Sequence, residues 1–544
     1  MSQRHVVLIL ALAIGTVIPE CAFAQSRVGG RTEVFAGSVF ESYLRYLQSL
    51  GKSSAEPWSI RGFSLAEIDA RAPSDTLHPW AKRYDFKAGA SRRIDFVRPT
   101  ARVIVNSAFP FGSNDGPVWA GKGLTTAVQA GISVELGPLS IRLAPVAFYA
   151  ANSEFPLFAN NETGALQYGH GQFARQIDLP QRFGDGSYSR IDPGESTVRL
   201  DAFGVAAGIS TASQWWGPTD VFPYIIGNNA GGFRHVFVGT SKPLDLRVIR
   251  FHGRLVYGNI EQSEHSPVTG SETYVSESEA GTRRTMAGLV AVLQINAIPG
   301  FEIGGARFFH SPAEDGISSD QLRLPFQNLY RRNLPLIEGR ENQLGSLFVR
   351  WSPIGTGFDV YGEYGREDFS ADTRDYLLQP EHAATTNLGF RKAWGSAGVI
   401  SALRAEVFSY EASAGSRTRD EGLIYLHGVL RQGHTNRGQL LSAAVGPGSG
   451  NAQSIAFDRF TGSGRVTASY SRVTAHEDRS GFGPDAGIDP ATDVMHSLGG
   501  ELTRFVGPLD VSLKVVLTRD WNRYLEKNRD VTNANLALTV RHGL

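Results

Sequence analysis

Cysteine is all but absent: one residue in 544, Cys21. It sits in a stretch that reads as a removable export signal, so the exported chain has no thiol for a disulfide or a thiolate metal site. Lysine is scarce, only eight of the 53 basic residues, and arginine supplies the rest. Net charge is formally zero, without the basic excess that a nucleic-acid binder needs. After residue 24 no uncharged apolar run approaches the roughly 20 residues of a spanning helix. No Pro/Ser-rich linker or low-complexity spacer divides the chain into domains. What is plentiful is glycine, 61 residues, with aromatics at 10%, a composition that fits one large continuous β structure.

The first 24 residues have the parts of a secretory signal: Arg4 and His5, an apolar run over 6–18, and Ala22-Phe23-Ala24 before Gln25. A signal over 1–24 is therefore expected. Next, EVFAGSVFESYLRYLQSL (33–50) carries apolar residues at helical spacing, and Gly51 stops it. Ser64 and Glu67 form a capping-box pair. Residues 25–90 thus read as a periplasmic segment of two or three short helices whose apolar faces need a partner from elsewhere.

From about residue 98 the period becomes two. In TAVQAGISVEL, Val128, Ala130, Ile132, Val134 and Leu136 alternate with smaller or polar residues, and Gly137-Pro138 turns the chain back. Tight turns recur at Lys242-Pro243, Ile298-Pro299-Gly300, SPIGTG (352–357) and Gly507-Pro508. Longer polar stretches at 152–195, 261–283, 366–386 and 446–458 lie between the hairpins. Short turns at one end and long loops at the other are the pattern of a transmembrane outer-membrane β-barrel, in which every backbone polar group finds a partner in the closed sheet. We expect an all-β barrel over 91–544 with roughly 16 to 18 antiparallel strands, the last closing on the first. Glu135, Arg142, Glu363, Glu406 and Lys514 are expected to face its lumen. The arginine excess has two readings: genome composition, or an interior surface facing acidic groups.

The stretch GPVWAGKG (116–123) comes close to a phosphate-binding loop, but it lacks the Ser or Thr hydroxyl and the strand–loop–helix setting. Its glycines are better read as bending the wall or packing over Trp119. No G-x-S-x-G elbow occurs in GSGRV or GSGNA. NDGPVWAGKGLTTAVQAGI, QWWGPTDVFPYIIGNNAGGFRHVFVGT (214–240), VYGEYGRED (360–368) and LIYLHGVLRQGHTNRGQLLSAAVGPG (423–448) resemble the Wzi-type capsule-assembly outer-membrane proteins. The resemblance implies a signal, a small periplasmic helical bundle and an 18-stranded barrel that holds capsular polysaccharide as a lectin. A more typical member reads NNAPGFP where this chain reads NNAGGFR (228–234), so the ligand preference does not carry over.

Sugars offer apolar C–H faces and hydroxyl edges, so a binding site wants exposed aromatics beside Asn, Asp, Glu, Arg and His. Trp119 and the pair Trp215-Trp216 are candidate platforms, with an interfacial girdle as the alternative for the pair. Asn228, Asn229, Arg234 and His235 are a candidate polar patch, or a loop held by Asn turns. Glu363, Arg366 and Asp368 lie at a strand end, where ion pairing, ligand contact or paired-carboxylate hydrolysis are the options. Tyr425, His427, Arg431 and Arg437, with His434, form a basic aromatic cluster: a lumen network, with a metal site as the alternative. His427 and Arg431 share a face if the segment is a strand. No cofactor and no catalytic set is expected. Polysaccharide and outer-membrane lipid are the expected partners of a monomer, and a diffusion porin is the competing function.

Overall fold

The computed structural model describes residues 32–542 apart from 75, 88–91, 269–282, 313–318, 328–340, 368–369, 414, 416–422, 429, 444 and 476–491. The expected signal lies outside the described residues. The chain forms a closed antiparallel barrel of 18 strands, from Arg92–Asn106 to Val531–His542. Two strands are each broken once, Leu139–Leu143 with Val146–Ala150 and Tyr188–Asp192 with Thr197–Ala202. The last strand closes on the first, with Thr100 opposite Arg541 and Asn106 opposite Asn535. Pro99 cannot donate to a ladder, and the first strand's register shifts between Val97 and Thr100 to accommodate it.

Alternation fixes the two faces as expected. Val128, Ile209, Val236, Leu347, Leu388, Leu498, Leu513 and Leu536 are exposed on the outer wall, while Ser133, Glu363, Glu406 and Asp458 are buried inside. That apolar exterior is the lipid-facing band of a membrane barrel. No described helix is long and apolar enough to cross a membrane. The turns at Gly137-Pro138, 298–300, 352–357 and Gly507-Pro508 all join neighbouring strands. Three boundaries differ from expectation, the first being that the stretch 152–195 holds the strand Tyr188–Asp192. After Lys242-Pro243 only Leu244–Asp245 pairs before the long strand Ile249–Glu261, and the stretch 446–458 is part strand, because Asn451–Thr461 alternates along the ladder.

Two helices precede the barrel in the described residues, Val39–Ser49 and Leu65–Arg71. Ser38 caps the first, and the expected Ser64–Glu67 capping box opens the second. The missing partner for their apolar faces is the barrel itself. Tyr43, Leu44, Tyr46 and Leu47 pack with Trp58 and Trp80 against Ala393, Ile400, Ala402 and Phe460 of the wall. The helix's polar face is buried too: Arg45 pairs with Asp359 at 3.3 Å, Tyr46 Oη donates to Asp458 at 3.0 Å, and Arg350 Nη2 donates to Gln48 at 3.1 Å. Glu41 meets Arg61 at 2.8 Å, and the Glu302 carboxylate accepts from the Trp58 and Ser59 amides. The segment therefore stoppers the lumen at its short-turn end. Planar guanidinium forks meeting fixed carboxylates explain why lumen cations here are arginines.

Candidate functional site

A second stopper fills the lumen toward the long-loop end, built from loop residues 212–233 and the described parts of 423–448. Phe222, Tyr224, Ile225, Ile226, Tyr425, Leu440, Leu441 and Val445 join wall residues Val256, Val290, Phe308 and Phe408 in one apolar core. Inward wall side chains hold the loops, among them Glu406, Glu367 and Arg284. Glu406 accepts from the amides of Asp220, Val221 and Phe222 at 2.5, 3.2 and 2.7 Å. Glu367 accepts from the Tyr425 amide at 2.6 Å. Arg284 donates to the carbonyls of Gly433 and Thr435 at 2.5 and 2.7 Å. Between the loops, Tyr425 Oη donates to Tyr224 O at 2.8 Å, and His434 Nε2 meets Ile225 O at 2.5 Å. Burial pushes His434 down to about 4, so its imidazole is neutral at pH 7. Burial raises the Asp220 carboxyl, but Arg391, Arg404 and Arg45 overrule it and hold it well below the usual range.

At the long-loop rim lies a strip where aromatic rings meet a chain of ion pairs. Trp119 stands edge-on to Phe183 at 5.0 Å, and Phe183 stacks on Tyr188 at 4.2 Å. Tyr188 Oη accepts from Arg190 at 3.3 Å. Arg190 also donates to Pro117 O at 3.0 Å and reaches Asp192 at 3.6 Å. Asp192 takes Arg437 Nη1 at 2.6 Å, Arg437 Nε donates to Glu261 at 2.7 Å, and Glu261 lies 3.9 Å from Arg234. Burial lowers the Arg437 pKa, but Glu261 and Asp192 outweigh it and keep the guanidinium charged. Phe183 and Asp192 are buried, so the strip presents the half-buried Trp119 and Tyr188 rings beside Arg190, Glu261, Arg437 and the exposed Arg234, the chemistry that saccharides need. Gly121 makes room for the Trp119 ring: a Cβ there would stand 2.3 Å from it. Gly121 thus serves packing, while Gly116 has a φ of +64° and nothing within 4 Å of an added Cβ; Lys122 donates to Glu154 O at 2.8 Å.

Three of the sequence candidates, Trp119, Arg234 and Arg437, therefore meet in this strip. Others go elsewhere. Trp215 and Trp216 are fully buried, so they form neither an exposed platform nor an interfacial girdle. Trp215 lies under the Arg61 guanidinium at 4.2 Å, and Trp216 fits against Gly288, where a Cβ would fall 2.4 Å from the ring. Arg234 and His235 do not form one patch, because successive strand residues face opposite ways: Arg234 points outward, while His235 is buried with Nδ1 2.8 Å from Phe233 O. Asn228 and Asn229 hold the loop fold, donating to Ala36 O at 2.9 Å and Leu440 O at 3.0 Å.

The same alternation splits Glu363, buried and facing Gly217, from Arg366, whose guanidinium faces Tyr376 outside at 5.5 Å. Asp368 lies outside the described residues. Tyr425 belongs to the loop stopper, stacked on His434 at 5.4 Å. His427 and Arg431 stand in a loop, not a strand, so their four-residue spacing does not align them; His427 Nδ1 accepts from the Leu430 amide at 3.0 Å. Among the described residues no group of three or more His, Cys, Asp or Glu is arranged to hold a metal. Sequence reading missed Phe183, Tyr188, Arg190, Asp192 and Glu261. Only the Tyr188–Arg190–Asp192 alternation hinted at an inward row.

No protein-family model and no curated protein sequence matches the chain. Among solved structures it is similar to Wzi, an outer-membrane protein involved in group 1 capsule assembly in Escherichia coli, described as a carbohydrate-binding β-barrel. That match has a TM-score of 0.62 and 13% identity over 94% of this chain and 100% of that one. OccAB3 of Acinetobacter baumannii (TM-score 0.40, 10% identity, 82% of this chain and 98% of that one) and OpdL of Pseudomonas aeruginosa (0.37, 9%, 83% and 98%) align far more loosely. At this identity the likeness to Wzi is one of fold, and it is the fold that the sequence resemblance implied.

Proposed function

We propose that this is a non-enzymatic outer-membrane barrel that holds capsular or extracellular polysaccharide at the cell surface. A signal over 1–24 exports it, the segment 25–90 closes the barrel on the periplasmic side, and residues 91–544 span the membrane as a monomer. The rim strip from Trp119 to Arg234 makes the saccharide contact. The observation that carries the reading is the stoppered lumen. Glu406, Glu367 and Arg284 anchor the chain's own loops inside the wall, an arrangement that favours a rigid binding surface over free diffusion. The fold likeness to a carbohydrate-binding barrel supports the same reading. A diffusion porin, the competing function, needs an open path.

Two measurements on the purified barrel test the reading. Immobilised protein is expected to retain the extracellular polysaccharide of its own cells, and planar bilayers are expected to show no porin-sized current steps. Large open steps without polysaccharide retention reverse the assignment in favour of a porin.

A further inference from the structure

The two stoppers leave one side of the lumen unfilled. Beside the strands that close the barrel run two cavities of about 500 and 450 Å³, each within the roughly 300–1,000 Å³ typical of ligand sites. Both are walled in part by Arg102, Asp115, Val221, Arg404, Lys514 and Ala537, so they adjoin as one seam. One end reaches the helical segment at Phe40 and Tyr84; the other reaches Phe109 and Phe111 near the loops.

Most charges along the seam are matched. Arg102 pairs with Asp115, Arg404 with Asp220 at 2.8 Å, and Arg465 with Glu501 at 2.6 Å. Asp510 is taken by Arg83 at 2.6 Å and by Tyr84 at 2.6 Å. Three cations remain with no carboxylate within 4.0 Å among the described residues. Arg98 is 7% exposed; its Nη2 donates to Thr32 Oγ1 at 3.4 Å, while its Nε and Nη1 have no hydrogen-bond partner among the described residues. Arg541 stands opposite Asp510 in register, yet its guanidinium lies 5.0 Å over the Phe40 ring. Lys514 stands opposite Glu501, which is engaged by Arg465, and extends into the space between. Guanidinium N–H groups buried without an acceptor are costly unless a ligand or ordered water supplies one.

We infer that this seam holds an acidic saccharide segment, whose negative groups meet Arg98, Lys514 and Arg541. The inference rests on the polysaccharide reading and adds the charge class of the ligand and a lumen subsite below the rim.

The test titrates the purified full-length barrel with tetragalacturonate, with its methyl ester (the same shape without charge), and with inorganic phosphate. Tetragalacturonate is expected to bind at least tenfold more tightly than the ester. The double variant Lys514→Gln/Arg541→Gln is expected to lose that preference while its heat-modified gel mobility stays unchanged. Lys514→Gln alone, a side chain without an ion pair, gives a second reading with little effect on folding. Equal binding of acid and ester, or an unchanged preference in both variants, overturns the inference. So does displacement of tetragalacturonate by phosphate at equal concentration, which marks a small-anion site. If the barrel still retains its own cells' polysaccharide after any of these results, the attachment reading survives the loss of the acidic subsite.

Discussion

Glu406 and Phe222, 184 positions apart in the chain, are joined by a 2.7 Å hydrogen bond from the Phe222 amide to the carboxylate. The same carboxylate accepts from Tyr361 Oη at 2.5 Å and Asn387 Nδ2 at 3.2 Å. Bonds to a buried charge contribute about 1.5–3 kcal/mol each, and removing the acceptor leaves several donors unmatched. Glu406→Leu is therefore expected to release the loop at 220–222. Ion-conducting openings in planar bilayers and faster loop proteolysis are the readouts; a silent, protease-resistant variant shows that other contacts hold the stopper.

His434 makes the same stopper pH-sensitive. Its folded pKa, about 4, lies below the ordinary 6.5 because of burial, so the folded loop prefers the neutral ring. Above pH 6.5 both states are neutral and the stability is fully present. As pH falls from 6.5 toward 4 the released loop takes up the proton first, and stability drops by up to about 3 kcal/mol. Loop proteolysis is expected to rise over that window and to lose this component in His434→Phe.

The rim strip predicts a graded loss of saccharide binding. Trp119→Ala removes the ring that stands edge-on to Phe183, and Arg437→Met breaks the link between Asp192 and Glu261. Each is expected to weaken retention of the cells' own polysaccharide at least tenfold, with strand content by circular dichroism unchanged. Trp215→Phe, buried beneath Arg61, is expected to leave binding within twofold.

Packing between wall and stopper is testable at Gly288. A Cβ there would stand 2.4 Å from Trp216. Gly288→Leu is expected to destabilise the barrel by about 1–3 kcal/mol through overpacking, seen as a lower temperature of heat modification on gels. Gly500, with nothing within 4 Å of an added Cβ, is the control: Gly500→Ala is expected to shift it little.

The barrel was legible because strands alternate with a period of two, as in Val128 to Leu136 outside and Ser133 inside, and because turn chemistry marks five of the hairpins, while the turns at 203–204, 397–398 and 462–463 went unread. The capping box at Ser64 was legible for the same local reason. The stoppers were not. A loop such as 423–448 reads alike whether it waves in solvent or folds inward, and Trp216 is explained only by a glycine 72 residues away across the lumen. The rim strip failed to show for a related reason: Arg437 reaches Asp192 and Glu261 across 245 and 176 positions, and beyond the Tyr188–Arg190–Asp192 alternation no local pattern links them. Where residues were adjacent, as at Arg234-His235 and in Glu363 to Arg366, proximity misled, because the strand sends neighbours to opposite faces.

The most direct test of the attachment role measures where the cells' polysaccharide goes when the gene is deleted. The account predicts that saccharide moves from the cell pellet into the medium, that the wild-type gene returns it, and that the Trp119→Ala gene does not. Undiminished cell-bound saccharide in the deletion strain would contradict it.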